Sequence, residues 1–314
     1  MRTVFMGTPE FAVPCLRQLA ASTQVVGVFT QPDRRQGRGL ALASPPVKRV
    51  AQELGLPVYQ PVKLSSQESW QQLQALAPDL IVVVAYAQLL TPQILALPTY
   101  GCINVHASLL PAYRGGAPIH WAIIKGETES GVTTMLMDEG LDTGDILLQD
   151  RIAIGPDETC GQLHDRLAEL GAKTLAKTLT ALVEGRLQPT PQPKTGASYA
   201  RNLTKEDGLI DWHKPAAHIH NLVRGLNPWP VAYTALGDGR LRIFSTRLLT
   251  DTEYQGKAEP GTIVALTKDG PVVQTGEGVL LLQEVQPANR KRMSGADYVR
   301  GQRVAVGSRL GVSE

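Results

Sequence analysis

Between Arg2 and Glu184, short apolar runs alternate with longer stretches of helical periodicity, and this alternation leaves the chain few ways to fold. Arg2–Met6, Gln24–Phe29, Leu80–Val84 and Cys102–His106 are five or six residues long and read as strands, Arg2–Met6 as a short buried one and Leu80–Val84 as a continuously apolar one. Glu10–Ala20, Pro46–Leu54 and Gln67–Ala77 read as helices between them. Further on, Pro118–Lys125 reads as a helix, Val132–Met137 and Ile146–Ile154 as strands, and Cys160–Glu184 as a long amphipathic helix. This order predicts an α/β fold with a mainly parallel sheet covered by helices.

The composition then breaks. Residues 186–203 place Pro189, Pro191 and Pro193 at alternate positions. Proline fixes φ and favours an extended, stiff backbone, so this segment is expected to be a linker or a strap across a domain surface. Beyond it, Ala216–Gly225 reads as a helix. Val231–Leu236, Arg240–Leu249, Thr262–Leu266, Val272–Thr275 and Val279–Val285 follow as short strands, a series that suits a small β-barrel. The expected division is a domain over 1–188, a proline-rich linker over 189–203 and a second domain over 204–314.

The bulk composition excludes several classes. With 314 residues, 43% hydrophobic and 19% charged, the chain can bury a core without covalent staples. Its three cysteines, Cys15, Cys102 and Cys160, form no CxxC pair, which predicts a reducing cytoplasm and no zinc ribbon. The N-terminus lacks a signal-peptide pattern, and the longest strongly apolar run, Leu80 to Ala85, is far short of the ~20 residues that span a bilayer. The formal charge is only +2, although basic residues gather at Arg34, Arg35 and Arg38 and again after Pro287. No stripe suggests self-association, so a monomer is expected.

Three stretches could carry chemistry. Gly7-Thr8-Pro9-Glu10-Phe11 joins a strand to a helix, but neither GxGxxG nor GxxxxGK[ST] is present, so a dinucleotide or ATP is not implied. In Gly101-Cys-Ile-Asn-Val-His-Ala-Ser-Leu-Leu-Pro111, strand alternation puts Asn104 and His106 on one face at the C-terminal end of a strand, where ligands bind in open α/β sheets. A carboxamide can donate to a developing oxyanion and an imidazole can exchange protons near neutral pH, which is what acyl transfer requires. On spacing alone, the pair reads first as two satisfied polar residues at a strand edge. Third, Met137-Asp-Glu-Gly-Leu-Asp142-Thr-Gly-Asp145 is an acidic glycine-containing loop. Its spacing does not match a calcium loop; it suits either a turn or a carboxylate that stabilises the His106 imidazolium. His218 and His220 are two apart on a predicted helix, and His120, His164 and His213 lack ligand-like neighbours, so no metal site is expected.

Taken together, the segments VFMGTPEFAVPCL, FTQPDRRQGRG, PDLIVVVAYAQLLT, INVHASLLPAYRGGAPIHWAI, TTMLMDEGLDTGDIL, NPWP and KRMSGADYVRG resemble the folate-dependent formyltransferases essentially from end to end. Within that family, the QPDRRQGRG loop and the second domain resemble the branch that acts on charged initiator tRNA. The resemblance implies a Rossmann-like catalytic domain followed by a small OB-like β-barrel that helps hold tRNA. It implies transfer of the formyl group of 10-formyltetrahydrofolate, as co-substrate, to the α-amino group of methionyl-tRNA. Asn104, His106 and Asp142 take the family's catalytic positions; Ser108, Leu109, Leu110 and Pro111 take its folate-lining positions, and Arg38 its tRNA-contacting position. Relatives often carry two lysines after GRG where this chain has Leu40 and Ala41, which makes the loop less basic. The alternatives are another formyl-folate enzyme, acting on an amino-sugar nucleotide or on water, and a non-catalytic tRNA-binding module.

Overall fold

A seven-stranded sheet organises the first of two units, which gathers residues 1–118, 129–152 and 164–200. The structure, a computed structural model, describes residues 1–36, 41–237, 239–250, 258–301 and 304–311. β1 (Arg2–Gly7) and β2 (Gln24–Phe29) pair in parallel and are joined through helix α1 (Val13–Ser22). A two-stranded antiparallel ribbon, β3 (Arg34–Gln36) with β4 (Ala41–Ala43), and helix α2 (Pro46–Glu53) precede β5 (Val58–Tyr59), which adds to β2. Helix α3 (Gln67–Leu76) leads to β6 (Leu80–Val84) on the other side of β1, and α4 (Pro92–Leu95) leads to β7 (Cys102–His106), parallel to β6. After α5 (Pro118–Ile124), β8 (Glu129–Leu136) runs antiparallel to β7. β9 (Ile146–Ala153) forms the far edge, followed by α6 (Cys160–Val183). The strand order is β5-β2-β1-β6-β7-β8-β9, so the sheet is mainly parallel, as the alternation of elements predicts.

Local chemistry sets the boundaries. The helix expected from Glu10 opens as a 3-10 turn over Glu10–Ala12, because Pro14 has no N–H to give the Glu10 carbonyl and the α pattern starts only at Val13. The Ser66 hydroxyl accepts from the Ser69 N–H at 3.2 Å and caps α3, which ends at Ala77 in the left-handed region (φ 43°). Every residue of β6 and β7 is buried, which accounts for the unbroken apolar run of β6; in β7 the same burial takes in the polar Asn104 and His106. On one side of the sheet Val4, Met6, Phe29, Ile81 and Val83 pack with Leu64, Leu73 and Ile94, and the Phe29 and Tyr59 rings stack at 4.8 Å. Burial of each such side chain contributes roughly 1.5–3 kcal/mol.

The second unit gathers residues 119–128, 153–163 and 201–314. Its helix α7 (Ala216–Gly225) packs on a six-stranded antiparallel sheet of β10 (Ala232–Leu236), β11 (Gly239–Leu248), β12 (Ile263–Leu266), β13 (Pro271–Gln274), β14 (Val279–Pro287) and β15 (Met293–Ser294). Along β11, Leu241 and Ile243 are buried while Arg240 and Arg242 are exposed, the alternation of a sheet with one wet face. A short helix α8 (Gly295–Arg300) follows β15, capped by Ser294, whose hydroxyl accepts from the Asp297 N–H at 3.0 Å. Together these elements form the α/β unit and smaller β unit expected from the sequence.

One buried histidine should make the second unit sensitive to acid. His220, on α7, meets the Thr246 hydroxyl at 3.0 Å through Nδ1 and the Pro156 carbonyl at 3.3 Å through Nε2, with an Asp157 carboxylate oxygen at 3.4 Å. Burial holds its imidazole below the usual 6.5, outweighing the raising effects of the Pro156 bond, Asp157 and Thr246, and Arg224 lowers it further. Between the two values the unfolded chain binds more protons than the folded one, so this contribution is complete above 6.5 and is lost as pH falls toward the folded value. Acidification from about pH 7 to about pH 5 should therefore lower the melting temperature. His220→Gln, which keeps a donor and an acceptor, should flatten that slope in calorimetry; an unchanged slope would assign the effect elsewhere.

Candidate active site

Strand alternation in β7 brings the Asn104 and His106 side chains to one face, and both reach the same carboxylate, that of Asp142. Asp142 comes from the loop between β8 and β9, whose ends are tied by the bond from the Leu136 N–H to the Asp145 carbonyl at 2.9 Å. The Asp138 carboxylate accepts from the Gly140 N–H (3.0 Å) and the Thr143 hydroxyl (2.7 Å), which tightens the turn, and Asp142 itself sits in the left-handed region (φ 54°), one that aspartate tolerates better than most residues. At Gly144 a Cβ would lie 1.8 Å from the Leu136 carbonyl oxygen, so only glycine fits there.

The Asn104 Nδ2 donates to Asp142 Oδ1 at 3.3 Å, and His106 Nδ1 lies 3.6 Å from Oδ2. The Gly115 N–H donates to the same Oδ2 at 2.8 Å. Side-chain exposure is only 7% for His106 and 12% for Asp142, so the contact is largely removed from water. The opposite ring nitrogen of His106, Nε2, lies 3.0 Å from the Tyr113 carbonyl oxygen. A carbonyl can only accept, so Nε2 carries a proton, and Nδ1, facing the carboxylate, is the nitrogen left to gain or release one.

The residues after β7 are held rigidly. The Ser108 hydroxyl donates to the Ala112 carbonyl at 2.6 Å. The Leu110 N–H donates to the Thr133 hydroxyl at 3.1 Å, and the Leu110 carbonyl accepts from Gln149 Nε2 at 2.8 Å. Leu109 and Pro111 are half-buried and offer apolar surface, while Ser108 and Leu110 are buried. Arg38 lies outside the described residues, as does Leu40.

Sequence reading missed the Gly115 N–H, the Tyr113 carbonyl and Gln192, whose amide bonds the Asp142 loop. The glycine pair after Arg114 was a visible signal of an unusual backbone; the other two leave no trace in residue type. Burial pushes the thiols of Cys15, Cys102 and Cys160 up to about 12, which keeps them protonated and out of the chemistry. Among the described residues, no three His, Cys, Asp or Glu side chains gather as a metal would need, and no helix is long and apolar enough to cross a membrane.

The formyl transferase family matches residues 1–179, and the formyl transferase C-terminal domain matches residues 202–303. The chain is 50% identical over 310 residues to a methionyl-tRNA formyltransferase of Trichlorobacter lovleyi, covering 98% of this chain and 96% of that one. To the methionyl-tRNA formyltransferase of Geobacter sulfurreducens it is 49% identical over 312 residues, 99% and 97% of the two chains. The chain belongs to the methionyl-tRNA formyltransferase family. Among solved structures, the fold is similar to an N-formyltransferase from Helicobacter canadensis with folinic acid and dTDP-3-aminofucose, at TM-score 0.66 and 17% identity over 89% of this chain and 98% of that one. That distant likeness speaks to the fold alone.

In this family member, Gly115 has φ +107°, and a Cβ there would come within 2.9 Å of the Ala200 carbonyl oxygen. Gly115→Ala should cost about 1 kcal/mol or more in stability, because alanine resists that backbone conformation. It should also lower turnover by turning the N–H away from Asp142. Denaturant melts and steady-state kinetics check both; full turnover in a destabilised variant would show that Asp142 does not need this donor.

Proposed function

We propose that the protein transfers the formyl group of 10-formyltetrahydrofolate to the α-amino group of initiator methionyl-tRNA, giving N-formylmethionyl-tRNA for translation initiation. The observation that carries this reading is the meeting of Asn104, His106 and Asp142 at the end of β7, in a chain about half identical along its length to methionyl-tRNA formyltransferases. The amine nitrogen attacks the formyl carbon, and a new C–N bond forms. The carbonyl oxygen becomes negative and the nitrogen positive. An amide nitrogen carries two N–H donors; Asp142 takes one from Asn104, and the other serves the oxyanion. Asp142 accepts the surplus proton of the amine. His106, fixed at Nε2 by the Tyr113 carbonyl, exchanges protons at Nδ1 and delivers one to the folate nitrogen as its bond to the formyl carbon breaks.

Ser108, Leu109, Leu110 and Pro111 line the folate side in this reading. Their fit rests on the fixed backbone of Leu110 and the partly exposed apolar surface of Leu109 and Pro111, which suit a flat ring system. Arg38 and residues 204–314 hold the tRNA, residues 1–188 carry the chemistry, and the segment 189–203 joins them. The enzyme works as a monomer in the cytoplasm, where charged tRNA is found.

Purified protein should formylate methionyl-tRNA when given 10-formyltetrahydrofolate. Turnover with an amino-sugar nucleotide or water in place of methionyl-tRNA, and none with methionyl-tRNA, would overturn the proposal. Asn104→Ala should lower kcat by about 10²–10³, the usual cost of an oxyanion donor. His106→Ala and Asp142→Ala should each lower it by about 10²–10⁴. Each variant should remain folded at the assay temperature, and one with near-normal turnover would lose its assigned role. Arg38→Ala should raise KM for tRNA and flatten its dependence on salt, because one phosphate contact fewer releases fewer counterions. An unchanged salt slope would remove Arg38 from the tRNA site.

A further inference from the structure

The proline-rich segment does more than connect. Residues 190–200 run along the first unit as a strap. Thr190 exchanges backbone hydrogen bonds with Ile146 at 2.8 and 2.9 Å, just past the Asp142 loop. Gln192, two residues on, turns a half-buried side chain into that loop, and Nε2 donates to the carbonyl oxygens of Asp142 and Gly144, both at 2.8 Å. Its Oε1 accepts from Arg114, at 3.2 Å from Nε and 2.6 Å from a terminal nitrogen. Turning the amide over would set its NH2 against a guanidinium and its oxygen against two carbonyls, so the orientation is fixed by its partners. The strap then reaches Tyr113, whose N–H donates to the Ser198 hydroxyl at 2.9 Å, and Arg114, whose N–H donates to the Ser198 carbonyl at 2.8 Å.

Asp142 and Tyr113 are both non-glycine residues with positive φ, 54° and 59°. L-residues hold that conformation only where the surroundings impose it. These two residues also flank the His106 ring, Asp142 at Nδ1 and Tyr113 at Nε2, and each is bonded by the strap.

We propose that Gln192 is a positioning residue for the reaction: by holding the Asp142 and Gly144 carbonyls, it aims the Asp142 carboxylate at Asn104 and His106. Ser198 does the corresponding work for Tyr113. The inference rests on the roles proposed above for Asp142 and His106.

Two variants separate positioning from simple anchoring of the strap. Gln192→Met keeps the length and loses every hydrogen bond. Gln192→Glu keeps, and strengthens, the bond to Arg114 but sets carboxylate oxygens against the two carbonyls. If the strap only needs an anchor, the glutamate variant matches wild type. If Gln192 positions Asp142, both variants should lower kcat roughly ten- to a hundredfold, as small misplacements at a reacting centre do, with KM for both substrates nearly constant. In an Asp142→Ala background, Gln192→Glu should then have almost no further effect, because the residue acts through the missing carboxylate. A wild-type kcat for Gln192→Glu, or full additivity with Asp142→Ala, overturns the proposal. An active Asp142→Ala would instead overturn the reading of the site on which it rests.

Discussion

A carboxylate drawn out of water loses several kcal/mol of hydration unless donors replace the lost solvent. Asp142 is largely buried, and its two oxygens are met by the Asn104 amide, the Gly115 N–H and the His106 ring. Those three groups come from a strand and from the loop that follows it, so satisfying one charge fixes how the β8–β9 loop lies against β7. The glycines at 115, 140 and 144 and the left-handed backbone of Asp142 serve that one requirement. The same requirement gathers an amide donor and an imidazole around one carboxylate, at 3.3 and 3.6 Å. Folding and chemistry here draw on a single electrostatic need.

Much of this could be read from residue order. The period of two in a five-residue strand put Asn104 and His106 on one face, and buried parallel strands announce themselves because both faces must be apolar. The strands at 24–29, 80–84 and 102–106 lie where the pattern put them. β5, only two residues long, has no period to detect, and α8 was overlooked although Ser294 and Asp297 carry the spacing of a capped helix start. The partners of His106 and Asp142 were harder. One is a carbonyl, one an N–H, and the third an amide side chain fifty positions from the loop it bonds. Backbone groups are the same in every residue, and no local pattern reports a contact made after the chain has returned across a sheet.

The two units meet the problem of burial differently. The first covers both faces of its sheet and can afford uninterrupted apolar strands. The second leaves a wet face on β11, and there arginine guanidinium groups lie over aromatic rings: Arg240 over Tyr233 at 3.9 Å and Arg292 over Phe244 at 4.1 Å, the latter also paired with Glu284. Such stacking covers an aromatic face with a cation that its quadrupole attracts and whose outer edge can still meet solvent.

The grouping of short middle segments with the second unit has a consequence for how the chain can be divided. The path passes from one unit to the other near residues 118, 128, 152, 163 and 200. A fragment that stops at the proline-rich stretch would carry away 119–128 and 153–163, and with them Pro156 and Asp157, the groups that face His220. No single scission therefore yields both units whole, and swapping the C-terminal part between relatives would bring together segments that had not been selected side by side.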